Sequence, residues 1–407
     1  MPKRSAPNLP SRPSASARVC ALGVDGTPPV PFLEDSDFIA PTFRLGVDQD
    51  DAPQTFAEFA SDEDRNVATA SRRTLVIVPL GMSLAERALK PHSLAGLTLP
   101  PVAEVASYLS AFTGLPTRIL AELPIEKWTP TRGRSTAASE QTRGKAVAVR
   151  TRKSLIRVSV KKSDGEFAES LEVCDLLDAL LEELPKDAFA IVGLTPFDIC
   201  EGSVAVGGRA FGGSRIACIS YARYHPALDD ISRDWPLGLR AKAGGAITTA
   251  ARAAAAALPT AGGSALWLER VCTQVASHEV GHCMGLDHCI YYNCYMGENE
   301  GQAPYACPVC LRKLFDTNGA ARGAASIDTF LSAARTHYAA LADFCRGPRL
   351  QVPKWAAMHA WCVGRLAQLE ASGGGPASAG RGAGTEAAIA SSAATVGRER
   401  AHGSFPE

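Results

Sequence analysis

The sequence predicts a mixed α/β (α+β) domain, and three observations carry that reading. Two short, nearly continuous apolar runs, Thr74 to Leu80 and Ala188 to Leu194, suit strands buried on both faces. Other apolar residues recur at helical spacing, as at Val102, Val105, Ala106, Leu109 and Phe112. A long helical pattern, Ala265 to Leu286, closes on a cluster of histidines.

Taken in order, residues 1–70 are rich in Pro, Ala and Ser and then acidic from Glu34 through Asp64. They show little periodicity and are expected to be mostly disordered or loosely draped. One sizeable folded domain over 71–370 follows. Its first strand, Thr74 to Leu80, closes at Gly81, and the helix after Pro101 stops at Gly114. Leu115 to Leu123 suits a second strand, residues 131–146 read as an insertion, and Val147 to Val160 alternates enough to contain a strand. Leu171, Cys174, Leu177, Leu180, Leu181 and Leu184 make a helical stripe that Pro185 stops. Strands are expected at Ser203 to Val206 and Arg215 to Ser220, connected through the glycines from Gly207 to Gly213. The Ala-rich stretch 244–264 reads as a second insertion. In the long helix beyond it, Leu268, Val271, Cys272 and Val275 face a core. Ile327 to Phe344 and Val352 to Leu369 suit amphipathic helices, with His337 and His359 as packing or surface residues. The Ala/Gly/Ser-rich tail 371–407 is expected to be disordered.

The chemistry concentrates between His278 and His288, which hold three of the chain's eight histidines. Residues four apart stack on one helix face, so His278 and His282 can direct two imidazoles at one ion with Glu279 beside them. Gly285 can take the left-handed conformation that turns the chain back and brings His288 to the same ion. Three protein ligands leave a fourth position open, the arrangement of a catalytic zinc with Glu279 as general base. Cys283 points away from the metal-facing pair and reads as packing.

Four thiols follow: Cys289, Cys294, and the C-x-x-C pair Cys307 and Cys310. Two close pairs match a closed, structural four-cysteine zinc site, so the expected complement is two Zn2+ per chain. A redox C-x-x-C fits less well, because no thioredoxin-like βαβ pattern surrounds it.

HExxHxxGxxH with Cys289 directly behind the third histidine, Cys294-Tyr295-Met296, and a later C-x-x-C followed by Lys313-Leu314 together resemble the archaemetzincins, or archaelysins. Gly193 to Ile199 and Tyr221 to Tyr224 are similar to segments of the same family. The resemblance implies a metzincin, zincin-like fold: a twisted mixed sheet with helices, a long active-site helix and a smaller C-terminal subdomain carrying the four-cysteine zinc. It implies that Met296 lies in a tight turn under the catalytic metal. It also implies that Phe211 to Ser220 forms the cleft rim, where an exposed strand edge pairs with an extended peptide. Aminopeptidase-like activity on small peptides is implied in the same way, and Tyr295, Tyr305, Glu298 and Glu300 are nearby candidates for substrate contact. Only ten residues, Gly297 to Ala306, separate Met296 from Cys307, fewer than in the family form.

Composition bounds the partners. Basic and acidic residues balance at 42 each, with a pI near 7.1, so a peptide or protein substrate is expected rather than nucleic acid or a membrane. The span 132–162 holds ten basic residues and one acid, Glu140, and reads as a solvated face. No apolar stretch is long enough to cross a bilayer, and Pro2, Pro7, Pro10 and Pro13 argue against a targeting helix. Eight further cysteines lie mostly in apolar runs, which fits a reducing compartment, cytoplasmic or nuclear. The competing function is a zinc-stabilised interaction protein with vestigial peptidase machinery. An intact Glu279 argues against it, since a non-catalytic site needs no general base.

Overall fold

A computed structural model describes residues 54–89, 97–129, 144–163, 167–228, 263–289, 294–297, 304–323 and 326–373. Of the expected insertions, 131–143 and 244–262 lie outside the described residues, as do 1–53 of the N-terminal region and 374–407 of the tail; Ala146 is in a strand, and 263–264 and 371–373 are helical.

The mixed α/β expectation holds, with strands in two sheets. The first sheet contains β1 (Thr74–Pro79), β2 (Thr117–Ile119), β7 (Ala188–Thr195), β10 (Gly208–Phe211) and β11 (Ile216–Ser220), in the order β10-β11-β7-β1-β2. β1 runs parallel to β2 and β7, β7 parallel to β11, and only β10 is antiparallel. Helices cover both faces of this sheet, so its central strands are apolar at every position and their side chains divide by parity. Leu75, Ile77, Val192, Leu194, Ala217 and Ile219 face one core; Val76, Val78, Ile191 and Cys218 face the other.

The second core lies under α4 (Val173–Glu183) and the second sheet. That sheet comprises β3 (Ile125–Lys127), β4 (Ala146–Arg150), β5 (Leu155–Lys161), β6 (Ser170–Glu172), β8 (Asp198–Glu201) and β9 (Val204–Val206). The single strand expected between Val147 and Val160 is a hairpin, β4 with β5. Four of the basic residues here face carboxylates: Lys145 meets Glu169, Arg150 meets Glu126 at 2.8 Å, Arg152 meets Glu183 and Lys161 meets Glu172. These pairings support the reading of a solvated face.

The first core carries the site. Against it pack α3 (Val102–Thr113), a composite helix, α7 (Pro308–Asn318), α8 (Ile327–Phe344) and α9 (Pro353–Gly373). The composite helix runs as α5 (Gly263–Arg270), a π-helical turn from Val271 to Ala276, and α6 (Ser277–Cys283). Trp267 is fully buried, and its indole N–H donates to the Tyr221 carbonyl at 2.9 Å. The following residues turn Arg223 onto buried Asp198 through two bonds of 2.7 and 3.1 Å. The two family-like segments upstream of the histidines therefore meet in one ion pair, which fastens the second sheet to the first.

Two differences from the sequence reading matter. Residues 54–70 are part of the fold: α1 (Phe56–Ser61) begins with a capping box between Thr55 and Glu58, and Phe56 and Phe59 are buried in the first core. Their apolar positions are too few to show a period, and long-range polar contacts hold them. The rim also shifts. Ile216–Ser220 is an interior strand paired on both sides, and the exposed edge is Gly208–Phe211, within the segment read as a glycine connector.

Phe112 joins α3 to the site: its ring meets Tyr295 at 4.9 Å and His337 at 5.7 Å, both edge-on. His337 is accordingly a packing residue. Phe112→Ala is expected to lower unfolding free energy by about 3–5 kcal/mol, read by denaturant titration, since it leaves a cavity between three elements. A loss under about 1 kcal/mol would mean that the pocket collapses.

Candidate metal centre

The last turn of α6 builds the first cluster. His278 and His282 project from one face, and the helix ends in a Schellman motif. Gly285, at φ 89°, donates to the His282 carbonyl at 2.9 Å, and Leu286 donates to the Gly281 carbonyl at 3.1 Å. Leu286 is buried behind the turn, and the chain returns with His288 beside the first two rings. Ring centroids lie 4.6, 5.0 and 5.3 Å apart, and the three ring nitrogens fall within 4.8 Å of one another.

Hydrogen bonding fixes which nitrogens face inward. His278 Nδ1 lies 2.8 Å from the Tyr295 carbonyl, and His282 Nδ1 lies 2.8 Å from the Leu286 carbonyl. A carbonyl can only accept, so each Nδ1 carries the proton and each Nε2 presents a lone pair. These Nε2 atoms are 3.0 Å apart. Two facing lone pairs repel unless a cation sits between them, so the donor set fits a metal. Burial, reinforced by the neighbouring His282, pushes His278 down to about 3, which keeps the ring neutral and able to ligate.

Glu279 sits next to the cluster and is buried. Burial raises its carboxyl to about 8, against the opposing pull of Arg209; a cation in the histidine cluster would pull the same way as Arg209. Edge strand β10 crosses directly over it. A Cβ on Gly208 would come within 2.7 Å of Glu279 Cγ and Oε1 and of Val275. Glycine is thus the residue that lets strand and carboxylate approach this closely, and a glycine inside a strand signals such an approach in sequence.

Below the histidines, Met296 packs its sulfur against Gly281, where a Cβ would overlap it. The turn is held by Gly297 N–H donating to the Cys294 carbonyl at 2.9 Å and Cys289 N–H donating to the Met296 carbonyl at 2.7 Å. It places the Tyr295 carbonyl under His278. Tyr295 and Tyr305 are themselves buried, Tyr305 against Trp361, so neither is placed to contact a substrate. Glu298 and Glu300 lie outside the described residues.

The second cluster gathers Cys289, Cys294, Cys307 and Cys310, all four sulfurs within 4.8 Å of one another. Cys289 Sγ is 3.7 Å from Cys307 Sγ, and Cys294 Sγ is 3.7 Å from Cys310 Sγ. A disulfide needs about 2.05 Å. Zn–S bonds of about 2.3 Å in a tetrahedron put sulfurs about 3.8 Å apart, so the spacing fits a four-thiolate metal site. Cys307 caps α7 and accepts from the Cys310 N–H at 3.4 Å, so this thiolate lies at a helix N-terminus. Burial pushes the Cys294 and Cys307 thiols up, so metal binding there must release protons. Cys283 is buried away from both clusters, as expected of a packing residue.

The two centres share one frame. His288 and Cys289 are adjacent in the chain, and Tyr295, whose carbonyl accepts from His278, follows Cys294 directly. If this frame orients the imidazoles, Gly281→Ala, which drives a methyl into Met296, should weaken metal binding at the histidine cluster about 10–100-fold in a chelator competition. Unchanged affinity would show that the turn gives way without cost.

Residues 254–315, which hold both clusters, match the family model described as Peptidase family M54. Archaemetzincin-2 of Macaca fascicularis and of Homo sapiens are each 24% identical to the chain over 273 residues, 65% of this chain and 64% of theirs. Archaemetzincin-2 of Rattus norvegicus is 24% identical over 303 residues, 70% of this chain and 69% of its own. The chain thus spans less than two thirds of the length of the macaque and human relatives it matches. No solved structure matches. The chain is thus similar to the archaemetzincin-2 proteins, and the segment holding both donor clusters carries its match to Peptidase family M54.

Proposed function

We propose that the protein is a zinc-dependent peptidase of the metzincin type that uses Glu279 as its general base. The observation that carries this reading is the buried carboxylate of Glu279, held by β10 beside three histidine nitrogens that converge on one point. His278, His282 and His288 would hold one zinc; Cys289, Cys294, Cys307 and Cys310 would hold a second, structural one. When bound, the histidine-held zinc supplies a Lewis acid that polarises a carbonyl and lowers the pKa of water to about 7.

The chain's own residues do the rest. Glu279, ionised under the pull of the cation and of Arg209, accepts the proton of the attacking water and then returns it to the leaving amine nitrogen. Its burial excludes bulk water, and the missing side chain at Gly208 leaves room for its carboxylate under the strand. Among the described residues β10 pairs only with β11, and its other edge would offer backbone N–H and C=O groups to an extended peptide, a mode of binding that tolerates many side chains. Carried over from the resemblance, we propose aminopeptidase-like action on small peptides. The buried free thiols at Cys218, Cys272 and Cys362 suit a reducing compartment such as the cytoplasm. Among the described residues, no helix is long and apolar enough to cross a membrane.

Glu279→Gln keeps the shape of the side chain and removes the base. It is expected to retain about two zincs per chain by elemental analysis and to lose hydrolysis by at least about 100-fold. The readout is a panel of aminoacyl fluorogenic substrates and internally quenched peptides. Unchanged turnover would refute Glu279 as base. A wild-type protein with both zincs and no hydrolysis across the panel would support the zinc-stabilised interaction protein instead. Cleavage of the internal peptides alone would overturn the aminopeptidase reading.

A further inference from the structure

We propose that residues 54–68 form a positioning arm for the histidine cluster, with Gln54 and Asn66 as its working residues. This rests on His278, His282 and His288 being a metal site and does not depend on what the site hydrolyses.

The arm lies across the C-terminal end of α6, where the chain turns back to deliver His288. Gln54 grips that turn from both sides: its side-chain amide N–H donates to the Gly285 carbonyl at 3.0 Å, and its Oε1 accepts from the Asp287 N–H at 3.2 Å. The residue after Asp287 is His288. Asn66, 4% exposed, donates to the Cys283 carbonyl at 3.3 Å and to the Phe189 carbonyl at 2.9 Å. Phe189 sits at a register irregularity between β1 and β7, where Thr74 pairs with Ala188 but Leu75 with Ala190. Asn66 therefore ties the last turn of α6 to the bulged position of the central strand. Between the two amides, the arm backbone at Arg65 passes so close that a Cβ on Gly285 would meet Arg65 Cβ at 3.0 Å. The arm thus touches Cys283, Gly285 and Asp287, the three backbone points between the second and third ligands.

The arm is also anchored on α7, the helix that Cys307 caps. Lys313, 3% exposed, donates to the Gln54 carbonyl and to Gln54 Oε1, both at 2.6 Å. Arg65 pairs with buried Asp316, and the Ala68 N–H donates to the Thr317 carbonyl at 2.9 Å. Lys313 is the lysine singled out in the sequence behind the C-x-x-C pair. Its partner here is the arm. An ammonium buried on two oxygens fixes the Gln54 amide in one orientation, because the lysine can only donate and so must face oxygen. That orientation leaves the amide N–H for Gly285.

A ligand held loosely costs affinity because the metal must order it on binding, and outer partners of ligands are worth about 10–100-fold. The test uses the full-length chain loaded with Co2+, whose thiolate charge-transfer bands mark the cysteine site and whose ligand-field bands alone mark the histidine site. Chelator competition then reads each site separately, with no peptide present. Gln54→Ala and Asn66→Ala are expected to weaken the histidine site about 10–100-fold and the cysteine site by less than about twofold. Gln54→Glu keeps the acceptor for Asp287 and Lys313 and should recover part of the loss. Lys313→Met should cost less on the Gln54→Ala background than alone, because it acts through Gln54. Asn66 is buried and its variant could unfold; Gln54 is half-buried, so its variant keeps the test decisive. Equal loosening of both sites, or an unchanged histidine site in Gln54→Ala, would overturn the proposal. Absence of peptidase activity in the wild type would count only against the function proposed above.

Discussion

Three imidazoles must aim lone pairs at one point, and the structure is arranged around that constraint. Lone pairs repel at the distances observed, so the arrangement cannot be stabilised by the histidines themselves in the absence of a cation. Carbonyls hold it instead. Leu286 and Tyr295 take the Nδ1 protons, and each carbonyl is fixed by something else: Leu286 by the Schellman turn, Tyr295 by the loop that runs from Cys294 to Met296. The ordering of the first centre therefore reaches back into the second, because Cys294 and Cys289 flank the same groups. A four-thiolate metal would order that loop at least as firmly as packing does, and the burial that raises the Cys294 and Cys307 thiols makes the cation necessary for them to be anionic.

The sheet and helices supply the stiffness behind these contacts. Central strands β1, β7 and β11 are buried on both faces, and α6 lies against them under the edge strand β10. Trp267 and the Arg223–Asp198 pair lock the start of the helix run to the end of β11 and to the second sheet. At the other end, the arm from Gln54 to Ala68 locks the turn. A helix fixed at both ends, with a π-helical turn between, has little freedom to rotate its histidines away from one another.

The motif chemistry was legible because it is local. His278, His282 and His288 are set by helical period and one glycine, and the four cysteines by close pairing, so residue type and spacing were enough to bring each group together on paper. Buried strands were legible for a similar reason: a two-sided core leaves an uninterrupted apolar run. What the sequence hid is what depends on tertiary contact. Gln54 and Asn66 lie more than two hundred residues from the turn they hold, in an acidic stretch with no period to read. Gly208 read as part of a connection between strands, whereas it lies in a short strand of its own and leaves the space that Glu279 fills. Ile216–Ser220, expected at a sheet edge, is an interior strand, because pairing order, unlike strand existence, leaves no mark in a single sequence. Tyr295 and Tyr305, near the metal in sequence, are turned into the core.

Zinc K-edge X-ray absorption on the zinc-loaded full chain tests the central claim most directly, because it reads ligand atoms without reference to activity. One centre of nitrogen and oxygen beside one of four thiolates should give an average of about two sulfurs per zinc near 2.3 Å, with lighter ligands at about 2.0–2.1 Å. A spectrum with about four sulfurs per zinc and no shorter nitrogen shell would contradict it, since the three histidines would then hold no metal.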